Sequence, residues 1–126
     1  DKMFEKRSAK RALIRLRRKK WIKDRHHGDV VTFEIRSEAF IELLKHEIKD
    51  SKNKLPEDEY TFVIFDIPEA AKSARNSFRK FLKQAGFKQK QLSVWMSSRD
   101  IALKLLKLIH LLKIEKWVEV YIARKS

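Results

Sequence analysis

The sequence predicts an α+β fold in two parts, and three observations carry that expectation. The run Tyr60 to Glu69 is apolar on both parities of an extended strand before it reaches Asp66, as a central sheet strand requires. After it, helical and extended patterns alternate to the end of the chain. Ahead of it, a strongly basic helical pattern leads directly into two short extended runs around Gly28.

Composition bounds the answer. The 126 residues, 43% of them hydrophobic, amount to one ordinary domain or two very small ones with enough apolar mass for a core. No run approaches the roughly 18 consecutive apolar residues of a membrane span, and the charged start lacks the apolar stretch of a signal peptide, so a soluble cytoplasmic protein is expected. The absence of cysteine excludes a disulfide framework, a thiolate metal site and a cysteine nucleophile. The 31 Lys and Arg against 17 Asp and Glu give a formal charge of +14, which calls for a polyanionic partner. Residues 1–25 hold twelve of those cations against three acids, so the charge forms a docking face rather than a general coat. Double-stranded DNA is the expected partner and a membrane surface is not, since no lipidation motif is present; charge alone leaves RNA open.

From about Glu5 to Lys20 a helix is predicted with Ala9, Ala12, Leu13 and Leu16 on one side. Arg7, Arg11, Arg15 and Arg18 lie on the other, with Lys10 and Lys19 adding charge. Arginines in register can pair bidentately with guanine edges or clamp phosphates. Trp21 to Arg25 and Val30 to Ile35 then read as two strands, with His26, His27, Gly28 and Asp29 in the turn. A basic helix followed by a hairpin carrying Arg25, His26 and His27 at its tip has the order of recognition helix and wing in a winged helix-turn-helix. The adjacent histidines point to opposite sides of a strand and lack ligand partners, so no metal is assigned to them. Ser37 is the expected N-cap of a helix reaching about Lys49. The winged-helix-like segment is thus 1–49, missing the helices that normally precede a recognition helix, and a start without methionine suggests a truncated product. The charged stretch 50–59, with Pro56 inside it, is the expected linker.

Residues 60–126 form the second part. Ser73 to Ala85 is predicted helical, with Ala74, Phe78, Phe81, Leu82 and Ala85 on one side and Gly86 as C-cap. Lys88 to Ser98 is a strand or hairpin, Arg99 to Ile114 a second helix, and Lys116 to Ala123 a closing strand. That order is a ferredoxin-like split βαβ pattern, so the fold expected is a partial winged helix-turn-helix followed by a ferredoxin-like domain. Helices would cover one sheet face only, while the first and last strands are apolar on both. A two-fold homodimer packed sheet against sheet is the expected cover, with the preceding segment as the other candidate.

The run Phe65-Asp66-Ile67-Pro68-Glu69, with Arg75, Phe78-Arg79, Leu82, Gly86-Phe87 and Ser93-Val94-Trp95, resembles the C-terminal domain of the PaaX-type phenylacetate-catabolism repressors. That domain is itself similar to the small CRISPR-associated endonuclease and adaptation protein, Cas-two. The resemblance spans Tyr60 to Ala123, and the first half looks like the end of the winged helix that PaaX-type proteins carry ahead of it. It implies a DNA-binding dimer that regulates transcription, with no cofactor.

The Cas-two side of the resemblance implies an alternative. There the aspartate ending the first strand, here Asp66, meets its mate across a dimer and holds Mg²⁺ or Mn²⁺ for phosphodiester cleavage, or the dimer serves structurally in spacer acquisition. Asp66 is the one carboxylate at that place, and PaaX-type regulators share the strand, so an enzyme is the less favoured expectation. The competing reading has Asp66 accepting hydrogen bonds from turn amides to fix the next helix. His46 and His110 lie on helices and are read as structural. No Walker loop, Gly-rich dinucleotide turn, zinc-protease helix or nucleophile elbow is present.

Overall fold

The computed structural model describes residue 11, residues 22–28 and residues 30–126. The chain divides into two compact units, 1–43 and 44–126. Among the described residues no helix is long and apolar enough to cross a membrane.

In the first unit, strands β1 (Ile22–His27) and β2 (Val30–Ile35) pair antiparallel from Ile22↔Ile35 to His27↔Val30. β1 therefore runs two residues further than expected: His26 and His27 belong to the strand and not to the turn. A two-residue hairpin loop needs positive φ, and Gly28 supplies it at +60°. A side chain at Gly28 would meet nothing within 4 Å, so the backbone angle alone calls for glycine there. The predicted helix Glu5 to Lys20 lies outside the described residues except for Arg11, which is helical and exposed.

Helix α1 (Ser37–Asp50) begins one residue earlier than a Ser37 cap would allow. The Arg36 carbonyl accepts from the amides of Ala39 and Phe40 at 3.0 and 3.1 Å, so Arg36 holds the capping position. Glu38 in the first turn and Lys49 in the last match the helix dipole.

The second unit is built on a four-stranded antiparallel sheet of order β4-β5-β3-β6, comprising β3 (Glu59–Phe65), β4 (Lys88–Gln91), β5 (Val94–Ser97) and β6 (Val118–Arg124). Helix α2 (Lys72–Gln84) connects β3 to β4, and α3 (Ala102–Leu111) connects β5 to β6. This is the strand order of a ferredoxin-like domain, with β3 central between β5 and β6 as its two-sided apolar pattern predicts. The extended stretch after α2 is a hairpin whose turn carries Leu92, 80% exposed. β6 starts after a 3₁₀ turn at Glu115–Trp117.

The core lies on one face of this sheet. Thr61, Val63 and Phe65 of β3 are buried beside Ser97, Trp95 and Val118. α2 sets Phe78, Phe81 and Leu82 into it, and α3 sets Leu105, Leu108 and Ile109. Phe65 meets Phe78 edge to face with ring centroids 5.3 Å apart, which fixes α2 over the end of the central strand. Ala74, expected on the buried side of α2, is exposed, and Arg75 is half-buried. α2 ends as expected: Gly86 at φ +84° donates to the Lys83 carbonyl at 3.1 Å, and Phe87 to Leu82 at 3.0 Å. α3 closes the same way on a non-glycine residue, Lys113 at φ +59°.

The stretch 50–59 is tied to this unit by backbone bonds. Leu55 donates to Ser98 at 2.9 Å, Asp100 to Asn53 at 2.9 Å and Lys125 to Asp58 at 2.8 Å, and Lys54 bridges Arg99. Arg99 is the centre of these ties. Its Nη1 donates to the Lys49 carbonyl at 3.1 Å and the Ala85 carbonyl at 3.3 Å, so one guanidinium caps the C-terminal ends of α1 and α2. Its own carbonyl accepts from Thr61 Oγ1 at 2.9 Å, and its amide donates to Ser97 Oγ at 3.2 Å.

Arg99→Ala is expected to lower unfolding free energy by about 2–4 kcal/mol, since two charge-assisted bonds vanish and leave part-buried carbonyls unpaired. Urea unfolding of the purified chain measures it. Gly86→Ala should cost upwards of about 1 kcal/mol, because an L-residue is strained at that φ and the new Cβ would lie 3.3 Å from Arg99 Nη2.

Candidate nucleic-acid interface

Of the residues expected to touch DNA, Arg7, Lys10, Arg15, Arg18 and Lys19 lie outside the described residues. Arg11 is exposed on a helical backbone. Arg25, His26 and His27 occupy the last three positions of β1, opposite Thr32, Val31 and Val30, so they sit in succession at the turn end of the hairpin.

Asp66 stands where the sequence placed it, immediately after β3, and is exposed. Its amide donates to the Trp117 carbonyl at 2.9 Å, tying the end of β3 to the start of β6. Its carboxylate forms no hydrogen bond or ion pair among the described residues. The expected bonds from turn amides are therefore not made, and the 3₁₀ turn Glu69–Ala71 is entered through Pro68 without any side-chain cap. Pro68 itself is extended, at φ −67° and ψ 161°. Glu69 is engaged elsewhere: Arg75 Nη2 donates to its Oε2 at 2.9 Å, and Lys72 Nζ lies 4.0 Å from Oε1. One chain thus offers a divalent ion a single carboxylate at this place, Asp66, uncommitted among the described residues. Among the described residues no three His, Asp or Glu side chains come together as ligands. His110 is exposed in the last turn of α3, and His46 is half-buried on α1.

A cationic feature that the apolar stripe of α2 had obscured becomes visible in three dimensions. The helix reads KSARNSFRKFLKQ, with cations at Lys72, Arg75, Arg79, Lys80 and Lys83 and no acid. Arg75 is paired with Glu69, but no carboxylate among the described residues lies within ion-pair distance of Arg79, Lys80 or Lys83. Arg79 places its guanidinium 5.9 Å from the Phe65 ring centroid, and its buried Nε has no hydrogen-bond partner among the described residues. Lys45 and Lys49 of α1 each place an ammonium 5.9 Å from the Phe81 ring centroid, on the flank of the same helix. The sequence signal for this feature was the missing acid in thirteen residues.

Neither α2 nor α3 covers the other sheet face. Tyr60, Phe62 and Ile64 of β3 share it with Val94 and Met96 of β5 and Tyr121 of β6, as the register requires. Ile64 is 39% and Tyr121 49% exposed, and Tyr60 meets Phe62 edge to face at 6.5 Å. Charge is confined to the rim: Glu119 lies opposite Ile64 on the β6 edge, and Lys88 opposite Met96 on the β4 edge. Tyr121 donates its hydroxyl to Glu119 Oε2 at 2.6 Å. That hydrogen bond and the negative charge of Glu119 raise the tyrosine above its ordinary value.

Comparison with known proteins agrees with this sheet. Residues 53–126 match the family described as the PaaX protein central Cas2-like domain. No curated protein and no solved structure matches the chain significantly. The match begins within the stretch that Lys54 and Leu55 sew onto the sheet and takes in every strand and helix that follows it. The chain belongs to the PaaX family, whose central Cas2-like domain is the four-stranded unit described above.

Proposed function

We propose that the protein is a DNA-binding transcriptional regulator of the PaaX type that acts as a homodimer. The observation that carries this reading is the placement of charge. Twelve cations against three acids fall in residues 1–25, directly ahead of a hairpin and a domain that belongs to a regulator family. In this reading the segment 1–49 is a winged-helix-like DNA-binding unit in which Arg7, Arg11, Arg15 and Arg18 enter a major groove. Lys10 and Lys19 add phosphate contacts, and Arg25, His26 and His27 touch the flanking backbone. Residues 60–126 pair two chains through the open sheet face.

The occupant proposed for that face is a second copy of the chain. Six apolar or aromatic side chains line it, while its charges stand on opposite edges, Lys88 on β4 and Glu119 on β6. A two-fold axis parallel to the strands brings the β4 edge of one copy to the β6 edge of the other and so aligns opposite charges. The same axis presents two basic segments, which suits a site of inverted half-repeats.

Replacing Arg7, Arg11, Arg15 and Arg18 together with alanine is expected to weaken binding to duplex DNA at least about 100-fold near 0.1 M salt, through loss of several phosphate or base contacts. Fluorescence anisotropy measures it, and unchanged affinity sinks the proposal. Phe62→Glu combined with Ile64→Lys should convert the protein from dimer to monomer in sedimentation velocity while its far-UV circular dichroism stays native. A dimer that survives both charges refutes the sheet-face pairing.

A further inference from the structure

We infer that the outward face of α2, together with Lys45 and Lys49 of α1 on its flank, is a second surface that holds the phosphate backbone of duplex DNA. The inference rests on the reading of the protein as a DNA binder, but it assigns contact to the ferredoxin-like unit, whose role was otherwise only to pair chains.

Three observations carry it. The first is uncompensated charge: Arg79, Lys80 and Lys83 lie within four residues of one another on α2 and have no acid partner among the described residues. Like charges three or four apart destabilise a helix. A face kept only for solubility would intersperse acids, and the neighbouring Arg75 shows that this helix can take one, from Glu69.

The second is presentation. Lys80 and Lys83 are exposed, whereas Arg79 lies over the Phe65 ring, and Lys45 and Lys49 both bear on Phe81, the residue after Lys80. Aromatic contact orders long side chains in advance, which lowers the entropy lost when they meet a ligand. A helix of this length extends about 20 Å, enough to follow several consecutive phosphates.

The third is the company these cations keep. Apart from the single methyl of Ala74, the exposed uncharged positions of α2 are Ser73, Asn76, Ser77 and Gln84, all hydrogen-bonding. Serine, asparagine and glutamine donate to phosphate oxygens in DNA complexes. A helix that lies on a membrane needs Trp, Phe or Leu beside its cations to enter the acyl boundary, and the apolar side chains Phe78, Phe81 and Leu82 are all committed to the core. Duplex DNA fits this surface better than an anionic bilayer does.

The test compares the full chain with K45Q/K49Q/K80Q/K83Q and with the charge-keeping K45R/K49R/K80R/K83R, each checked for native circular dichroism and melting temperature. Anisotropy titrations of a mixed-sequence duplex are run across a salt series. The expected result for the glutamine variant is a slope of log affinity against log salt shallower by about 2–4, at about 0.9 per phosphate contact, and at least a tenfold loss near 0.1 M salt, restored by the arginine variant. A glutamine variant with wild-type slope and affinity overturns the inference. So does a variant that loses binding only to phosphatidylserine vesicles and keeps its DNA affinity. The four-arginine alanine variant, titrated in parallel, separates this inference from the reading it rests on. If that variant binds as wild type while the glutamine variant does not, the recognition-helix assignment falls and the α2 surface stands. If the wild-type chain binds no duplex, both fall.

Discussion

The guanidinium of Arg99 is the fixed point on which the ferredoxin-like unit closes. Helix C-termini expose carbonyl oxygens carrying the negative end of the dipole, and two such ends, at Lys49 and Ala85, meet at this one side chain. The same residue ties its backbone to Thr61 of the central strand and to Ser97, and bridges Lys54. One cation therefore joins the end of α1, the end of α2, the central strand and the stretch that leads into it. Gly86 follows from this arrangement, because any Cβ there would crowd Arg99 while also straining the turn.

With that corner closed, the position of the sheet and of everything it offers is set. β3 is apolar on both faces, and α2 and α3 satisfy only one of them. The remaining face asks for a partner, and the proposed homodimer answers with two copies of the same surface. On that account the family domain does two things: its open face pairs chains, and the outward side of α2 adds phosphate contacts to those of the basic N-terminal segment. Asp66 ends its strand with an uncommitted side chain and contributes an amide that ties β3 to β6.

Much of this was legible in the sequence, for identifiable reasons. The double parity of Tyr60 to Phe65 announced a central strand, Gly86 announced the end of α2, and the alternation of periods gave the split βαβ order. What escaped was set by distant contacts or by absence. Arg99 and Lys49 are fifty residues apart, so nothing local marks their bond. The stretch 50–59 has the composition of a linker, yet its backbone bonds go to residues 98–100 and 125. α3 stops at Leu111, short of the expected Ile114, because Lys113 takes a left-handed conformation that no glycine advertised. The phosphate surface proposed on α2 was hidden behind an apolar stripe, since a search for periodic hydrophobics passes over a helix face defined by what it lacks.

The central claim is that two chains, joined through the open sheet, read DNA with two-fold symmetry. Selection of bound duplexes from a random-sequence pool by the intact protein, followed by sequencing, tests this most directly. The account predicts enrichment of an inverted repeat whose half-site centres lie about one helical turn, or a whole number of turns, apart. Enrichment of a single asymmetric site, or of no sequence at all, would contradict it.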